Sequence, residues 1–283
     1  MTVSKPEGSV YIVSTPIGNL EDLSPRAQRV LREASILACE DTRRTARLCT
    51  RFGIGTRRVS LHAHNEERRI DELLRRLERG ETIALVSDAG TPLLSDPGAR
   101  FIGAALEQGF RVVPVPGPSA ILAALVASGL PTRPFTFVGF LPRKGRARTE
   151  WLERLAASPG TVVLFEAPGR VRETLRDLYK ALGPRKLALA RELTKRFEEI
   201  VRGRLGELEL PELRGEVTLV IEGAVAAPSD EMPTDDEVEA WITRQLEGGC
   251  STRDVAKELS QKLGIPRTQA YSRVLEHVRE EGD

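Results

Sequence analysis

The sequence contains few cysteines, few aromatic residues and almost no excess charge. Its 283 residues include three cysteines, which form no C-x-x-C pair and predict no disulfide framework. Aromatic residues make up 5% of the chain, so the core must be built mainly from Leu, Val, Ile and Ala. The formal net charge is +1, and any anionic partner must therefore be met by a local basic patch.

Several common signatures are also missing. No apolar run approaches the roughly 20 residues of a membrane span, and the first residues, MTVSKPEGS, lack the apolar centre of a signal peptide. We therefore expect a soluble, cytoplasmic protein that does not bind membranes. The patterns G-x-x-x-x-G-K-S/T, G-x-G-x-x-G and G-x-S-x-G do not occur, so there is no sign of a P-loop, a classical dinucleotide loop or a hydrolase nucleophile elbow.

Strand-like runs alternate with loops and helical patterns, which favours α/β sheets. The first run, VYIV at residues 10–13, leads into the turn-forming STPIGN and then a helix start at Ser24 and Pro25. RVSLHAH at residues 58–64 predicts a third strand. KLALARELTKRFEEIVRG predicts a strand followed by a loop. With 40% hydrophobic residues, the chain can bury a sizeable core.

Two interruptions predict the domain organisation. GLPTRPF breaks the alternation with two prolines and a glycine, and AAPSDEMPTDDEV is acidic and rich in proline, as is typical of a linker. Three short helices are predicted after it, near 235–247, 252–263 and 267–280. Their spacing fits either a helix-turn-helix or a small bundle that only packs on the body. The predicted parts are a flexible N-terminus (1–9), an N-terminal α/β domain (10–130), a second α/β domain (131–226), and a linker with a C-terminal helical domain (227–283).

Four loops rich in small or polar residues follow the predicted strands of the first half, at residues 14–19, 40–44, 64–66 and 87–97. Ligands of open α/β sheets bind at the carboxyl ends of strands, so these loops predict a binding cleft. The small residues of SDAGTPLLSDPG allow its backbone to approach a ligand closely. VPGPSA opens a helix whose free N–H groups are suited to a carboxylate.

His62 and His64 alternate along the predicted third strand and therefore share one of its faces. A zinc site needs three or four ligands, and no cysteine cluster or third histidine lies nearby. We therefore predict that no metal is bound and that this strand end borders the cleft.

Seven segments in order carry a resemblance to a known family: STPIGNLEDLS, CEDTRRT, HNE, SDAGTPLLSDPG, VPGPSA, FEAPGR and RELTKRFEE. Together they resemble the tetrapyrrole methylase superfamily and, within it, the ribosomal RNA small subunit methyltransferase I family. The match runs from about residue 10 to residue 223 and continues into the C-terminal helices. The resemblance implies two α/β domains with a cleft between them, S-adenosylmethionine (SAM) bound in that cleft as methyl donor, and a homodimer.

The resemblance also implies which loops contact SAM. SDAGTP stands where the corrin and haem relatives have a Gly-Asp-Pro loop, so the contacts there are expected to be mostly with backbone groups. The positions carried over from the family are Pro16, Ile17, Asp88, Ala89, Gly90, Thr91, Ser119, Ala120, Glu166, Ala167, Leu193 and Ile221.

The implied substrate is the 2′-hydroxyl of a decoding-centre cytidine in 16S rRNA (position 1402 in the usual rRNA numbering), within the 30S subunit. Basic residues in the sequence agree with an RNA partner. One loop places four positive charges in six residues, which suits an RNA backbone, and Arg43 shares a helix face with Arg47. The predicted RNA-binding residues are Arg43, Arg143, Lys144, Arg146 and Arg148.

A ribose hydroxyl is a weak acid, so its methylation benefits from a group that removes the proton. The candidates are Lys195, Glu192, Asp41 and Glu66, and positioning without a base is the alternative. Two other functions compete with this one: C-methylation of a tetrapyrrole precursor, and a non-catalytic ribosome-binding assembly factor. The arginine-rich loop and the added helices argue against the first, and the intact cofactor loops argue against the second.

Overall fold

Five parallel strands form the first sheet in the computed structural model, which describes residues 8–210, 213, 215–224, 234–263 and 265–280. The strands are β1 (Ser9–Val13), β2 (Ile36–Cys39), β3 (Arg58–Ser60), β4 (Thr82–Val86) and β5 (Arg111–Val115). Their order is β3-β2-β4-β1-β5. Because every pair in this sheet is parallel, the carboxyl ends of all five strands meet at one edge.

Helices cover both faces of this sheet. On one face α3 (Glu66–Glu78) and α4 (Ala99–Glu107) pack through residues such as Leu73 and Phe101. On the other, α1 (Pro25–Glu33) and α2 (Thr42–Arg51) pack through Leu31 and Cys49. The predicted start of α1 is confirmed: Pro25 is its first residue, and Ser24 Oγ accepts a hydrogen bond from Ala27 N at 3.0 Å. Because helices cover both faces of the sheet, almost all side chains of β2 and β4 are apolar and buried, on both sides of the strand.

The second sheet is mixed. It contains β6 (Phe135–Phe140), β7 (Thr161–Glu166), β8 (Lys186–Arg191), β9 (Glu199–Arg204) and β10 (Val217–Ile221) in the order β6-β7-β10-β8-β9. β6 and β7 are parallel, whereas β10 runs antiparallel to both of its neighbours and β9 antiparallel to β8. β10 therefore brings its amino end to the edge where β7 and β8 present their carboxyl ends.

Three helices pack on the second sheet. α6 (Arg146–Ala157) and α7 (Val171–Leu182) lie on one face, with Leu155 and Leu178 in the core. On the other face lies α5 (Ala120–Ser128), whose Leu125 packs among sheet residues such as Val163 and Val220. α5 lies within the predicted N-terminal domain, 10–130, and nevertheless packs on the second sheet.

Two predicted segments differ from the structure. The third strand ends at Ser60 rather than at His64, because Asn65 closes a turn there: its Oδ1 accepts from His62 N at 2.8 Å and its Nδ2 donates to Ser60 O at 3.2 Å. The segment predicted as a loop after β8 contains β9. β9 is an edge strand that is buried only in part, so its apolar signal is weak.

The C-terminal unit, Ala226–Asp283, has a core of its own. Its helices are α8 (Asp235–Glu247), α9 (Thr252–Leu263) and α10 (Arg267–Glu280), which confirms the predicted all-α unit. Ser251 precedes α9, and its Oγ accepts from Asp254 N at 3.2 Å. Residues 1–7 of the predicted flexible N-terminus and residues 226–233 of the predicted linker lie outside the described residues, as does residue 225. None of the described helices is both long enough and apolar enough to span a membrane.

Candidate active site

A cavity of about 600 Å³ lies between the two sheets, at the edge where the strands of the first sheet end. This volume is within the range of roughly 300–1,000 Å³ that is usual for small-molecule sites. The first half contributes residues that follow β1, β2, β4 and β5, and the second half contributes residues at the ends of β6, β7 and β8 together with the start of β10. The cavity therefore has one wall from each sheet.

The first wall is built from loops that are bonded to one another. Thr15 and Gly90 exchange backbone hydrogen bonds of 2.9 and 3.0 Å. Ser14 Oγ donates to Thr91 Oγ1 at 3.1 Å, and Thr91 Oγ1 donates to Pro118 O at 3.3 Å. The loops after β1, β4 and β5 thus form one connected surface.

Gly90 occupies a conformation that favours glycine. Its φ is +78°, and a Cβ at this position would lie 3.2 Å from Ile17 Cγ2. Any larger residue would be strained and would also press on a side chain that lines the cavity. In the loop after β5, which belongs to the same wall, Ser119 caps α5, with its Oγ accepting from Leu122 N at 3.4 Å. The positive end of the α5 dipole therefore lies at the cavity.

Acidic side chains dominate the rim of the cavity. The acidic residues that line it are Glu40, Asp41, Asp88, Asp96, Glu166, Glu192 and Glu216. The basic ones are Arg44 and Lys195, and each is paired: Arg44 Nη1 lies 3.3 Å from Asp88 Oδ2, and Lys195 Nζ lies 2.9 Å from Glu192 Oε1. The excess of carboxylates favours a ligand that carries positive charge.

Three of these carboxyl groups have shifted pKa values. Burial, together with the charges of Glu40, Asp88 and Glu216, raises the pKa of Asp96 from 3.8 to about 6, although the Ser87 hydroxyl opposes the shift. Burial and the charge of Asp88 also raise the pKa of Glu40. The pKa of Asp41 is lowered, because its carboxylate accepts the Arg43 N–H at 2.8 Å. Asp96 is therefore a carboxyl group whose pKa lies close to neutral pH, in contrast to Asp41.

On the second wall, the loop after β8 is held against the loop after β1. Glu192 and Thr194 have positive φ values of 49° and 63°. Asn19 N donates to Thr194 Oγ1 at 2.9 Å, and a Cβ at Gly18 would lie 2.5 Å from Lys195 Cγ. The close contact fixes the position of Lys195 at the edge of the cavity.

Most of the predicted cofactor and catalytic residues lie together. Those that line the cavity are Ile17, Asp41, Asp88, Ala89, Gly90, Thr91, Ser119, Ala120, Glu166, Ala167, Glu192, Leu193 and Lys195. Pro16 lines a smaller cavity next to it. The Glu166 carboxylate is buried and accepts from Ala167 N at 2.9 Å and from Thr174 Oγ1 at 2.6 Å, so it is already engaged within the second domain.

The assignment of Ile221 to the cavity is wrong. Ile221 is fully buried at the carboxyl end of β10, where it pairs with Val162 and Leu187 at the starts of β7 and β8. Because β10 is antiparallel to both, its cavity end is the amino end, and the residues found there are Glu216, Val217 and Thr218. Sequence alone gives no direct sign of the strand direction.

The assignment of Glu66 as a proton acceptor is also wrong. Glu66 is buried, and its Oε1 accepts the backbone N–H groups of Arg100 at 3.0 Å and Phe101 at 3.3 Å. These donors lie in the first turn of α4, so Glu66 caps that helix, and it does not line the cavity.

The basic loop divides into exposed and buried members. Arg143, Lys144 and Arg146 are exposed, and Arg146 pairs with Glu150 at 2.7 Å. The prediction for Arg148 is wrong, because its side chain is buried. Its guanidinium donates to Asp177 Oδ2 at 2.9 Å, Pro142 O at 2.9 Å and Thr174 Oγ1 at 3.1 Å, so it is not available to RNA. Arg43 is exposed on α2 and lines neither cavity.

Several cavity residues were missed by the sequence analysis. Asp96 lies in the same loop as Gly90. The segment SDAGTPLLSDPG contains Ser-Asp twice, and the second pair, which includes Asp96, could have indicated a second acidic residue at the cavity. The rings of Phe140 and Phe165 also line the cavity, with centroids 5.6 Å apart.

Within the described residues, no three His, Cys, Asp or Glu side chains are grouped so that they could hold a metal ion, and the absence of a metal stays a prediction.

The chain is similar in sequence and in fold to several known proteins. The family Tetrapyrrole (Corrin/Porphyrin) Methylases matches residues 9–209. "Ribosomal RNA small subunit methyltransferase I" of Xylella fastidiosa is 43% identical over 93% of this chain and 98% of its own length. The protein of the same name from Micromonospora olivasterospora is 45% identical over 94% of this chain and 86% of its own length. Among solved structures, uroporphyrin-III C-methyl transferase from Thermus thermophilus complexed with S-adenyl homocysteine has a TM-score of 0.54 and 23% identity, with 75% of this chain and 97% of that chain covered.

Proposed function

The chain belongs to the ribosomal RNA small subunit methyltransferase I family, within the tetrapyrrole methylases, and on this premise we propose that it transfers a methyl group from SAM to the ribose 2′-oxygen of a decoding-centre cytidine in 16S rRNA. The observation that carries the proposal is the acidic cavity between the sheets, built from the same loops that link the sequence to the family. The relatives' name supports small-subunit ribosomal RNA as the substrate, and the exposed basic residues beside the second wall agree with an RNA partner. The ribose 2′-oxygen and the decoding-centre cytidine are the part of the proposal that goes beyond that name.

The cavity fits SAM in size and charge. When bound, SAM supplies a methyl group activated by a positively charged sulfur. The excess of acidic residues around the cavity favours that charge, and the volume of about 600 Å³ suits a nucleoside-sized ligand. Gly90 has no side chain of its own, so the backbone of this loop can approach a ligand closely.

We assign the binding of SAM mainly to backbone groups of residues 88–91 and to the amino end of α5. Leu193 and the Phe165 ring supply apolar contacts from the second wall. Ala167 and Thr218 complete that wall, so residues of both sheets surround one ligand.

Asp96 is our candidate for the group that takes the hydroxyl proton. Burial and neighbouring carboxylates give it a pKa of about 6, close to the pH at which a general base must act. With SAM bound in the cavity, the Asp96 carboxylate would accept the proton that the ribose hydroxyl loses on methylation. Asp41, whose pKa is lowered, is a weaker acceptor, and Lys195 is engaged as a hydrogen-bond donor to Glu192.

We further propose that the protein acts as a homodimer. α5 is apolar on all sides, which is typical of a helix that is covered all round. Ile121 and Leu125 pack on the second sheet, whereas Leu122 is 53% exposed and Val126 is 71% exposed. A second copy covering Leu122 and Val126 would account for this sequence.

The C-terminal unit is proposed to help hold the RNA. Arg253, Lys257 and Arg267 are exposed on its helices α9 and α10. Phosphate contacts of this kind position a nucleic acid without reading its sequence. The exposed residues Arg143 and Lys144 are assigned the same role in the second α/β domain.

The test is methyl transfer to purified 30S subunits from cells that lack this protein. With labelled SAM, we expect methyl groups to be incorporated into 16S rRNA and nucleoside mass spectrometry to identify 2′-O-methylcytidine. A methyl group on a base, or incorporation only into a uroporphyrinogen offered in parallel, would contradict the proposal.

A further inference from the structure

A second cavity of about 280 Å³ adjoins the first, between the loop after β1 and α2. One side is the loop after β1, including Pro16 and Leu20, and the other is the middle of α2, including Arg47 and Leu48. Six residues line both cavities and form their common wall: Ile17, Arg44, Asp88, Ala89, Lys195 and Glu216.

The charge of the second cavity differs from that of the first. Three basic residues, Arg44, Arg47 and Lys195, face two acidic ones, Asp88 and Glu216. In the first cavity, acidic residues outnumber basic ones by seven to two. The second cavity therefore favours an anion next to a site that favours a cation.

Arg47 is the cation that has not been neutralised. Arg44 is paired with Asp88 and Lys195 with Glu192, whereas the guanidinium of Arg47 has no hydrogen-bond or ion-pair partner within the described part of the chain. α2 carries four arginines and no acidic residue between Thr42 and Arg51, so nothing on its own helix offsets this charge. An exposed guanidinium at a cavity mouth is suited to a two-point hydrogen bond with a phosphate.

The apolar lining indicates that the anion is part of a larger molecule. Ile17, Leu20 and Leu48 provide surface for a sugar or a base edge beside the charged group. In RNA the 2′-hydroxyl and the 3′-phosphate are attached to neighbouring carbons of one ribose. A ribose that offers its 2′-hydroxyl to the first cavity must therefore place a phosphodiester within reach of the adjoining one.

We propose that the second cavity is the subsite for the phosphodiester next to the target ribose, held chiefly by Arg47 with Arg44 at the common wall. This inference rests on the proposed function. The subsite fixes the RNA strand so that the target hydroxyl lies in the first cavity, which makes Arg47 a substrate-positioning residue with no part in SAM binding.

The test compares Arg47→Ala with Arg75→Ala in the full chain. Arg75 is an exposed arginine on α3 that lines neither cavity, so the two variants lose the same charge from comparable helical positions. For Arg47→Ala we expect kcat/KM on 30S subunits to fall by roughly tenfold to a hundredfold, as for one charge-assisted hydrogen bond, with SAM affinity unchanged. Arg75→Ala should behave as wild type, and Arg47→Lys should recover part of the loss.

Equilibrium binding to 16S rRNA supplies a readout that does not depend on catalysis. Loss of one phosphate contact should reduce the slope of log K against log salt by about 0.7–1 in Arg47→Ala alone. Equal binding and equal kinetics for Arg47→Ala and Arg75→Ala would overturn the subsite. Inorganic phosphate that stabilises wild type but not Arg47→Ala, without any change in RNA binding, would also overturn it, because the site would then take free anions. Arg47-dependent RNA binding with no methyl transfer by wild type would support the subsite and contradict the proposed function.

Discussion

The two sheets present different strand ends to the same cavity. In the first sheet all strands are parallel, so the cavity meets carboxyl ends only, as at Glu40 after β2 and Asp88 after β4. In the second sheet β10 is antiparallel to its neighbours and contributes its amino end, Glu216 to Thr218. A rule that considers carboxyl ends alone therefore succeeds in the first sheet and misplaces Ile221 in the second.

Both walls nevertheless contain loop residues other than glycine with positive φ values. The loop after β4 holds Leu93 and Ser95 at φ values of 74° and 77°, and the loop after β8 holds Glu192 and Thr194 at 49° and 63°. Positive φ in residues other than glycine is uncommon and costs of order 1–3 kcal/mol each. Strain on both sides of the cavity is consistent with loops shaped by ligand binding rather than by strand direction.

The largest loss of SAM affinity should follow from a substitution in the first wall of the cavity. Gly90→Val adds a branched side chain at φ +78°, with its Cβ 3.2 Å from Ile17 Cγ2. We expect the variant to fold with a loss of about 1–3 kcal/mol in stability and to bind SAM at least about 100-fold more weakly, a cost of about 2.7 kcal/mol. Isothermal titration and thermal melting measure the two effects. Gly103→Ala, in α4 with open space around its Cα, is the control. Normal SAM affinity in folded Gly90→Val would place the site elsewhere.

The next largest effect is a difference between buried and exposed residues of the basic loop, residues 143–148. Substitution of the buried residue should lower stability, and substitution of an exposed one should weaken RNA binding. Arg148→Ala removes hydrogen bonds to Asp177, Thr174 and the Pro142 carbonyl, so we expect the free energy of unfolding to fall by about 2–3 kcal/mol. Lys144→Ala, at an exposed position, should leave stability unchanged and weaken RNA binding. Denaturant titration and RNA binding measure both properties. If Arg148→Ala were stable but defective in RNA binding, the burial argument would fail.

Substitutions at the two ends of β10 should have smaller effects, one on stability and the other on SAM affinity. Ile221→Val should lower the free energy of unfolding by about 1 kcal/mol, the usual cost of this buried change, and leave SAM affinity as in wild type. Glu216→Gln, at the exposed cavity end, should weaken SAM binding severalfold with little change in stability. The reverse pattern would mean that the carboxyl end of β10 faces the ligand after all.

The smallest expected effect is the pH dependence of stability that arises from Asp96. The pKa of Asp96 is about 6 in the folded protein and 3.8 ordinarily, so the folded state holds this proton more tightly. The stability that follows from it is present below about pH 4 and is lost as the pH rises through 6. Asp96→Asn should therefore gain stability relative to wild type between pH 4 and 7. Because Asp96 is partly exposed, we expect less than about 1 kcal/mol. Denaturant melts at several pH values would show it, and a difference that shrinks with pH would contradict the assignment.

Local signals explain what could be predicted from the sequence. The bounds of α8, α9 and α10 and the start of α1 depend on periodicity and capping, which neighbouring residues determine. The loops of the first wall follow from strand ends in a parallel sheet. The direction of β10, the packing of α5 on the second sheet and the burial of Arg148 depend on partners distant in sequence, such as Asp177, and no local pattern contains them.

We propose that the protein methylates a ribose oxygen of small-subunit RNA in the cavity between its two sheets. The decisive measurement is mass-spectrometric mapping of 16S rRNA from cells without this protein. We predict that one decoding-centre cytidine loses its 2′-O-methyl group, and that the wild-type chain restores it whereas Gly90→Val does not. An unchanged set of ribose methyl groups in those cells, or the loss of a methyl group from a base, would show that the proposed activity is wrong.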